Sequence, residues 1–513
     1  MSPSYSSFAE WAAAQNTQKV YAVETSGIKL ADDSTISIFA CSGHKTEKHN
    51  YLWDGTHNFS PCVLAIPRVR HMAQEFDGGE SFASYGTLIF GTEKNRAIDT
   101  TGTVTWNGFI KGYSFAGRPV VIKIGGQGLD YSKWRKLQGY LGSPTKLSDL
   151  QLEVPVFSEA KEVFEKEIPP NTYDNSFPDD TEGQPKPLAF GELKNITPVL
   201  IDDTGFVYQV HDPAIGGIQS FDAVYVNGKQ VTSGFTANTT QNTIDFSSDP
   251  QGSVTCDIHG SVLGGTYSAL PGDIIKFIIQ SVLGIDAEKI DSAAFTAYNT
   301  AVPYDVAIYC KTMLTAKTII RSLISGLRTT WGTTRAGLYT IKRFGAPMGS
   351  STLSLDKKDI IDIDMPSEQR IYWKVNVKGD RNWSLTTRPD DTVSVDRRQW
   401  LKEQFRERVA SDSNIQARFG SAAKNTTFET HLVNLIDCET VAADLLSLMG
   451  TVRRRPKITA KMKLAQLDMV DEATITYDRW GLENGQDMTV VGMEEIHSLD
   501  PKMPSKIVVE GWF

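Results

Sequence analysis

Three histidines, His44, His49 and His57, fall within fourteen residues, and histidine is a common zinc ligand. Zinc sites, however, gather about four ligands on tighter, preformed turns. Lys45 and Lys48 are interleaved with them, so the segment reads as a polar loop. Gly125-Gly126-Gln127-Gly128 follows an apolar alternation and suggests a phosphate-binding turn. It lacks the lysine-serine/threonine ending of a P-loop and the spacing of a dinucleotide fingerprint, and reads as a glycine-rich turn after an edge strand. Acid doublets occur at Asp202-Asp203, Asp390-Asp391 and Glu494-Glu495. A two-carboxylate hydrolase sets its carboxyls about 5–9 Å apart across a cleft, whereas neighbours in a strand point to opposite faces. The doublets are therefore expected to be solvated turn or strand charges, and a pair assembled from distant positions stays open. No G-x-S-x-G elbow is present. Cys256 and His259 form a lone C-x-x-H in a strand-like stretch, where the cysteine reads as a small buried residue. Arg453-Arg454-Arg455 is the one compact basic run. It reads as a solvated loop after a helix C-terminus, where cations are favoured, with an intersubunit ion pair, an acidic partner surface or DNA as the functional alternatives. The sequence thus assigns no catalytic, cofactor-binding or metal-ligating residue and no cofactor, and the chain is not read as an enzyme.

The bulk properties agree. At 513 residues the chain exceeds one hydrophobic core, which stops growing near about 250–300 residues. Apolar content of 40% and charged content of 22% suit a folded globular protein. A net charge of −9 argues against a general nucleic-acid binder, which needs a basic face. The five cysteines (41, 62, 256, 310, 438) are odd in number and form no C-x-x-C pair, as expected of reduced thiols. The N-terminus lacks the basic and apolar regions of a signal peptide. The most apolar run, Ile274–Leu283, is short of the ~20 residues that span a bilayer and is interrupted by Lys276. A soluble, cytoplasmically made protein with no membrane insertion is expected.

Periodicity supplies the elements. Residues 1–150 show period-2 patterns: Ile36 and Ile38, Val104 and Trp106 before an Asn107-Gly108 turn, and Val120, Ile122 and Ile124. They predict an N-terminal β domain. Residues 151–192 predict a linker or long loop, because Pro169, Pro170, Pro178, Pro185 and Pro187 crowd together with five acids from Glu167 to Glu182. Such a segment could lie on a neighbouring subunit. Residues 193–265 predict a small β domain with a hairpin at Asn227-Gly228, the dipeptide best suited to a two-residue turn. Residues 266–352 predict a helical and hairpin segment. One helix there is built on Ile274, Ile275, Ile278 and Ile279 with Asp273 as N-cap, and a second spans 316–327. Residues 353–513 predict a barrel-like β domain with one helix. Asp437 caps that helix and Gly450 stops it, and strands follow through Ile458–Leu464 and Ala473–Tyr477 before a tight turn at Asn484-Gly485.

Several segments carry a family resemblance. FGELKNITPVLIDDTGFVYQVHDPAI (Phe190–Ile215) resembles the recurring phrase YG.L.NI.P.LID...YQVHD.AI of the central tail hub proteins of long-tailed bacteriophages. GRPVVIKIGG (Gly117–Gly126) is similar to a strand of that family's first domain. The run from Trp331 to Pro347 and the stretch Ala442–Phe513 are similar to its helix-to-strand passage and closing barrel. The phrases cover most of residues 100–513 in order and are least specific in 1–80 and about 370–430.

The resemblance implies a mainly β (α+β), multi-domain fold with two tube-type β-barrel domains and intervening small β and helical segments. It implies a structural virion protein, related to the trimeric hubs of contractile tails: a homotrimeric ring at the distal end of the tail tube. Its expected partners are a distal-tail or tail-tube hexamer, the tape-measure protein, tip or fibre proteins, and phage DNA passing through the lumen. It would sit in the virion, after assembly in the host cytoplasm. The acidic balance adds the expectation of a net negative lumen. The rival readings are a tail-associated cell-wall-degrading enzyme, which needs converging carboxylates or a metal, and an adhesin with β-rich carbohydrate-binding domains.

Overall fold

Seven strands near the N-terminus close on themselves. In spatial order they are Arg135–Leu141, Arg118–Gly125, Val20–Lys29, Thr35–Ser42, Ser60–Ala65, Thr87–Gly91 and Gln151–Phe157. The last pairs with the first through Tyr140 opposite Phe157 and Leu141 opposite Val156. This computed structural model describes residues 4–13, 19–42, 53–72, 79–82, 84–93, 96–99, 102–349, 351, 353–365, 370–386, 388–498 and 505–513. Alternate residues such as Tyr21 and Val23, Ile38 and Ala40, and Val120, Ile122 and Ile124 form the buried interior. A barrel this small is filled by its own side chains, so it is a packed body and not a pore. The barrel takes Gln151–Phe157 as its closing strand, which extends it past the expected boundary at 150.

The expected strand and turn at Val104–Ile110 is instead the helix Trp106–Gly112. Thr105 caps it, accepting a bond from the Gly108 amide at 3.4 Å. Trp106 and Phe109 then share one helical face and pack with Phe90 and Phe115. An i, i+3 aromatic pair buried on a barrel outweighs the turn propensity of Asn107-Gly108.

A sandwich follows. One sheet holds Glu192–Ile196, Val254–Leu263, Ile218–Val226 and Lys229–Val231; the other holds Val199–Asp202, Val207–Gln209, Thr243–Phe246 and Phe235–Asn238. Asn227 and Gly228 take φ of 53° and 79° and close the predicted hairpin, with Val226 opposite Lys229. Asn242 locks the sandwich from inside. Its Nδ2 donates to the Gly216 carbonyl at 2.8 Å, and its Oδ1 accepts from the Ile218 amide at 2.9 Å.

The proline-rich stretch is ordered against this sandwich. The Tyr173 hydroxyl donates to Gln209 Oε1 at 2.7 Å, Asn171 Nδ2 to Asp212 Oδ2 at 2.7 Å, and the Ala189 amide to His211 Nδ1 at 2.9 Å. Short ladders pair its ends with residues 308–315. Gln209, His211 and Asp212 belong to the phrase singled out in the sequence, and their role is to hold this strap.

The helical segment begins at Pro271–Phe277 and continues as a π-helical turn over Ile278–Val282. Its N-cap is Leu270, not Asp273. The Asp273 carboxylate is occupied elsewhere, accepting from Ser268 Oγ and Asn299 Nδ2 at 2.7 Å each. The second helix spans Ala316–Leu323 and ends before Gly326, whose φ is +75°. Residues 353–513 divide into two sheets. Arg406–Ser411, Tyr372–Gly379 and Lys424–Glu429 form a three-stranded sheet on which the helix Leu435–Met449 packs. Val375, Val377, Leu445 and Leu448 share a core with the preceding helical segment. Asn434, not Asp437, occupies that helix's cap position, and two further helices, Val395–Lys402 and Ser413–Phe419, lie in the stretch read as having one.

The second sheet is the barrel-like one. Its order is Leu353–Leu355, Glu472–Ile475, Gln486–Ile496, Lys506–Trp512, Lys457–Lys461 and Ile360–Asp364. Its end strands do not pair with each other among the described residues; the turn 356–359 joins them. Lys463 Nζ spans the seam, donating to the Ser354 carbonyl at 2.7 Å and Asp359 Oδ2 at 2.8 Å. A strand from the N-terminal half, Val69–Met72, pairs with Gln486–Ile496 and ties this sheet to the first barrel. The mostly β architecture of several β units around a closed barrel is therefore present. No helix among the described residues is long and apolar enough to cross a membrane.

Gly191 (φ +73°) lies where an added Cβ would stand 2.0 Å from the Val306 carbonyl oxygen. Left-handed backbone costs a residue with a Cβ about 1–2 kcal/mol, and overpacking adds about 1–3. Gly191→Ala is expected to lower unfolding free energy by at least about 2 kcal/mol in chemical denaturation; an unchanged midpoint would contradict the packing described.

Candidate functional site

The strongest constellation of charge lies where the barrel wall meets the C-terminal sheet. Glu495 is 1% exposed within the strand Gln486–Ile496. Ladders fix that strand on both sides, with Val69 and Ile507 opposite Glu495. Arg135 opens a barrel strand, and Arg335 stands in the turn between Thr329–Thr333 and Tyr339–Arg343, where Gly337 takes φ +83°. Both guanidiniums bond Glu495 Oε1, Arg335 Nη1 at 2.7 Å and Arg135 Nη2 more closely. His497 Nε2 lies 3.4 Å from Oε2 without hydrogen-bond geometry. The Tyr21 hydroxyl, from the barrel, reaches Ser505 Oγ at 2.9 Å and His497 Nδ1 at 3.3 Å. His71, opposite Met493, is buried beside them with both ring nitrogens unbonded.

The electrostatics follow from this burial. Desolvation works to raise the Glu495 carboxyl; Arg135 and Arg335 overcome it and hold the group well below the usual carboxylate range. Burial pushes the Tyr21 hydroxyl up to about 12 and His71 down to about 4. Glu495 is thus a fixed anion, buried among the described residues. It cannot lend a proton as a general acid, and a substrate in solvent cannot reach it. The cluster joins three segments of the fold.

The residues weighed in the sequence do not converge with it, apart from one half of an acid doublet. His44 and His49 lie outside the described residues. His57 is bonded to Asp54 at 2.6 Å and stacks on Phe39 at 4.2 Å. The glycine turn at 125–128 is occupied by backbone, with Tyr5 N donating to the Gly128 carbonyl at 2.8 Å. Asp202 accepts from the Gly205 and Thr204 amides, and Asp390 from Thr392, so each closes its own turn. Glu494 stays at the surface, 3.8 Å from Arg68, while its neighbour Glu495 is sealed inside. This corrects the expectation of solvated charges for that doublet.

Cys256 is fully buried in the sandwich core and its thiol is pushed well above its ordinary value by burial. His259 sits three residues on, half exposed. Asp222 Oδ2 and Ser220 Oγ approach the same ring nitrogen of His259, at 2.6 and 3.4 Å. A hydrolytic triad needs acid and serine on opposite nitrogens, so this trio relays no proton. The arginine run pins the C-terminal strand within its own chain. Arg453 donates to the Leu448 carbonyl and lies over the Trp512 ring, and Arg455 pairs with Glu510 at 3.4 Å. Among the described residues no group of three or more His, Cys, Asp or Glu is placed to hold a metal ion.

No family model matches the chain, and no curated protein does. Solved structures align over nearly all of it. The 43 kDa tail protein of prophage MuSo2 from Shewanella oneidensis is 9% identical over 96% of each chain, with a TM-score of 0.38. A tail protein from Neisseria meningitidis MC58 is 10% identical over 96% of each, at 0.35. Prophage tail protein gp18 from Listeria monocytogenes EGD-e is 6% identical over 96% of this chain and 94% of its own, at 0.37.

Sequence reasoning missed Arg135, Arg335, Tyr21 and His71, which approach Glu495 only through long-range pairing, and His497, two residues further along the chain. Glu495 left one trace: it sits with Glu494 between the apolar run Val490-Val491-Gly492-Met493 and Ile496. Removing one partner of a buried ion group costs about 3–5 kcal/mol, while replacing the whole group with apolar residues is often neutral. Glu495→Ala is therefore expected to lose about 3–5 kcal/mol in denaturant unfolding, and the triple change E495L/R135M/R335M to regain most of it. Equal losses in both would contradict this account.

Burial also holds His211 and His431 at about 4. Unfolding returns all three histidines to about 6.5. Between those values the unfolded chain binds more protons, so stability is complete above about pH 6.5 and falls as pH drops toward about 4. The Glu495 contribution is lost lower still, below the ordinary carboxylate range. Urea midpoints measured across this window should decline steadily on acidification; a flat profile would contradict neutral buried histidines.

Proposed function

We propose that this chain is a structural subunit of a bacteriophage tail tip, a hub that forms a ring at the distal end of the tail tube. Two kinds of support meet. The ordered family phrases across residues 100–513 point to a hub. The observation that carries the reading is mechanical: a closed, side-chain-filled barrel is fused to a second, barrel-like sheet through a shared strand and the buried Glu495 cluster. Such a block suits the wall of a conduit. Because the barrel interior is packed, a DNA passage must run between copies and not through one of them. Three copies would present six barrel-type units, a pseudo-sixfold ring that matches a hexameric tube or distal tail protein above and threefold tip or fibre proteins below. The same ring would anchor the tape-measure protein and line the ejection channel. The role is structural and not enzymatic, since the charged clusters described above bond the fold to itself.

Native mass spectrometry and electron microscopy of the chain with its tail neighbours should yield a threefold ring, and particles lacking the chain should have tails without tips. Intact tips in its absence, or turnover of cell-wall polysaccharide by the pure protein, would overturn the reading.

A further inference from the structure

The first barrel meets the C-terminal sheet along a seam that contains a buried histidine. The strand Val69–Met72 belongs to the barrel side of it. The Gly86 amide donates to the Arg68 carbonyl at 2.9 Å, the Val156 amide to the Gly86 carbonyl at 3.1 Å, and the Tyr85 hydroxyl to the Gln138 carbonyl at 2.7 Å. Across the seam the strand completes the C-terminal sheet through four pairs, from Val69 opposite Glu495 to Met72 opposite Gly492. His71 lies opposite Met493, two residues from Glu495, so its ring shares the face that carries the ion group. It is 2% exposed, and neither ring nitrogen has a hydrogen-bond partner.

The charges that face His71 are already balanced. Arg135 comes from the barrel, Arg335 from the hairpin turn, Glu495 from the paired strand and Asp468 from the turn before Glu472–Ile475. Both guanidiniums share Glu495 Oε1, and Asp468 Oδ1 accepts from the Met469 amide at 3.1 Å. His497 stands beyond Glu495, 3.4 Å from its Oε2. Tyr85, opposite Val69, and Tyr21 are held neutral by burial, and Arg70 is exposed on the other face of the strand. An imidazolium at this position would be a third cation beside two guanidiniums, out of water and with no acceptor for its N–H groups.

We infer that His71 is an acid-sensitive latch: when it takes up a proton, the first barrel and the strand Val69–Met72 part from the C-terminal sheet while each body stays folded. The two bodies have separate apolar interiors, so parting need not unfold either. The latch belongs to one chain and does not require the ring proposed above. Parting carries His71 into water, where its ordinary value near 6.5 returns, against about 4 in the seam. The parted form therefore binds the extra proton below about pH 6.5; docking is complete above that and weakens toward about pH 4. From about pH 7.5 to about pH 5 the docking constant should fall about 30-fold.

The test is hydrogen exchange of the full chain at the Val69–Met72 amides, corrected for intrinsic pH dependence and run where exchange reports the opening equilibrium. The wild type should open this strand about 30-fold more at about pH 5 than at about pH 7.5, with unchanged circular dichroism. H71Q, neutral at both, should open it equally at the two, and H71M supplies the same comparison if H71Q does not fold. H211Q and H431Q should keep the wild-type response. A histidine that only packs would make H71Q open more at every pH with the acid response intact. That result, a wild type without acid response, or opening that comes only with loss of the circular dichroism signal would each overturn the inference.

Discussion

Burying Glu495 between Arg135 and Arg335 is the constraint on which the rest of the arrangement depends. A carboxylate taken out of water pays for its burial only if cations and hydrogen bonds wait in the right places. Here one cation comes from the first barrel and the other from the hairpin beside the helical core, while the carboxylate belongs to the strand Gln486–Ile496 of the C-terminal sheet. A displaced register of Gln486–Ile496, or a barrel docked a few ångströms away, would strand one or more charges in apolar surroundings. Attraction between these parts comes mainly from the apolar surfaces around them; the ion group selects one docking among the many that such surfaces permit. His71 and Tyr21 beside it, held neutral by burial, extend the penalty for any other arrangement.

The same logic recurs in the sandwich. Gln209, His211 and Asp212 each bond a different point of the strap between residues 171 and 189. Polar side chains that in an enzyme would face a cleft here face backbone and neighbouring side chains of their own chain. The chemistry-bearing residues fix geometry, as the proposed conduit wall requires.

Much of the local structure was legible in the sequence. The hairpin at Asn227-Gly228, the barrel strand at Val120–Ile124 and the helix ending at Gly450 follow from turn chemistry and periodicity, which act over a few residues. What was illegible depends on partners far along the chain. Trp106 reads as a strand residue until Phe90 and Phe115 are seen to require it on a helix. The proline-rich strap reads as a free linker until the sandwich supplies its acceptors. Residues 370–449 read as part of the last barrel-like domain, but Val375 and Val377 bury against Leu445 and Leu448 rather than in that sheet. Glu495 looked like half of a surface doublet, since nothing nearby announces that Arg135 and Arg335 will meet it.

The most direct test of the central claim is native-state hydrogen exchange of the intact protein, comparing the barrel strand Arg135–Leu141 with the C-terminal strand Gln486–Ile496. If the buried ion group makes one body of the two, the slowest amides in both strands will exchange through a common opening, with the same free energy and the same denaturant dependence. Barrel amides that open while the C-terminal strand stays protected, or the reverse, would contradict it.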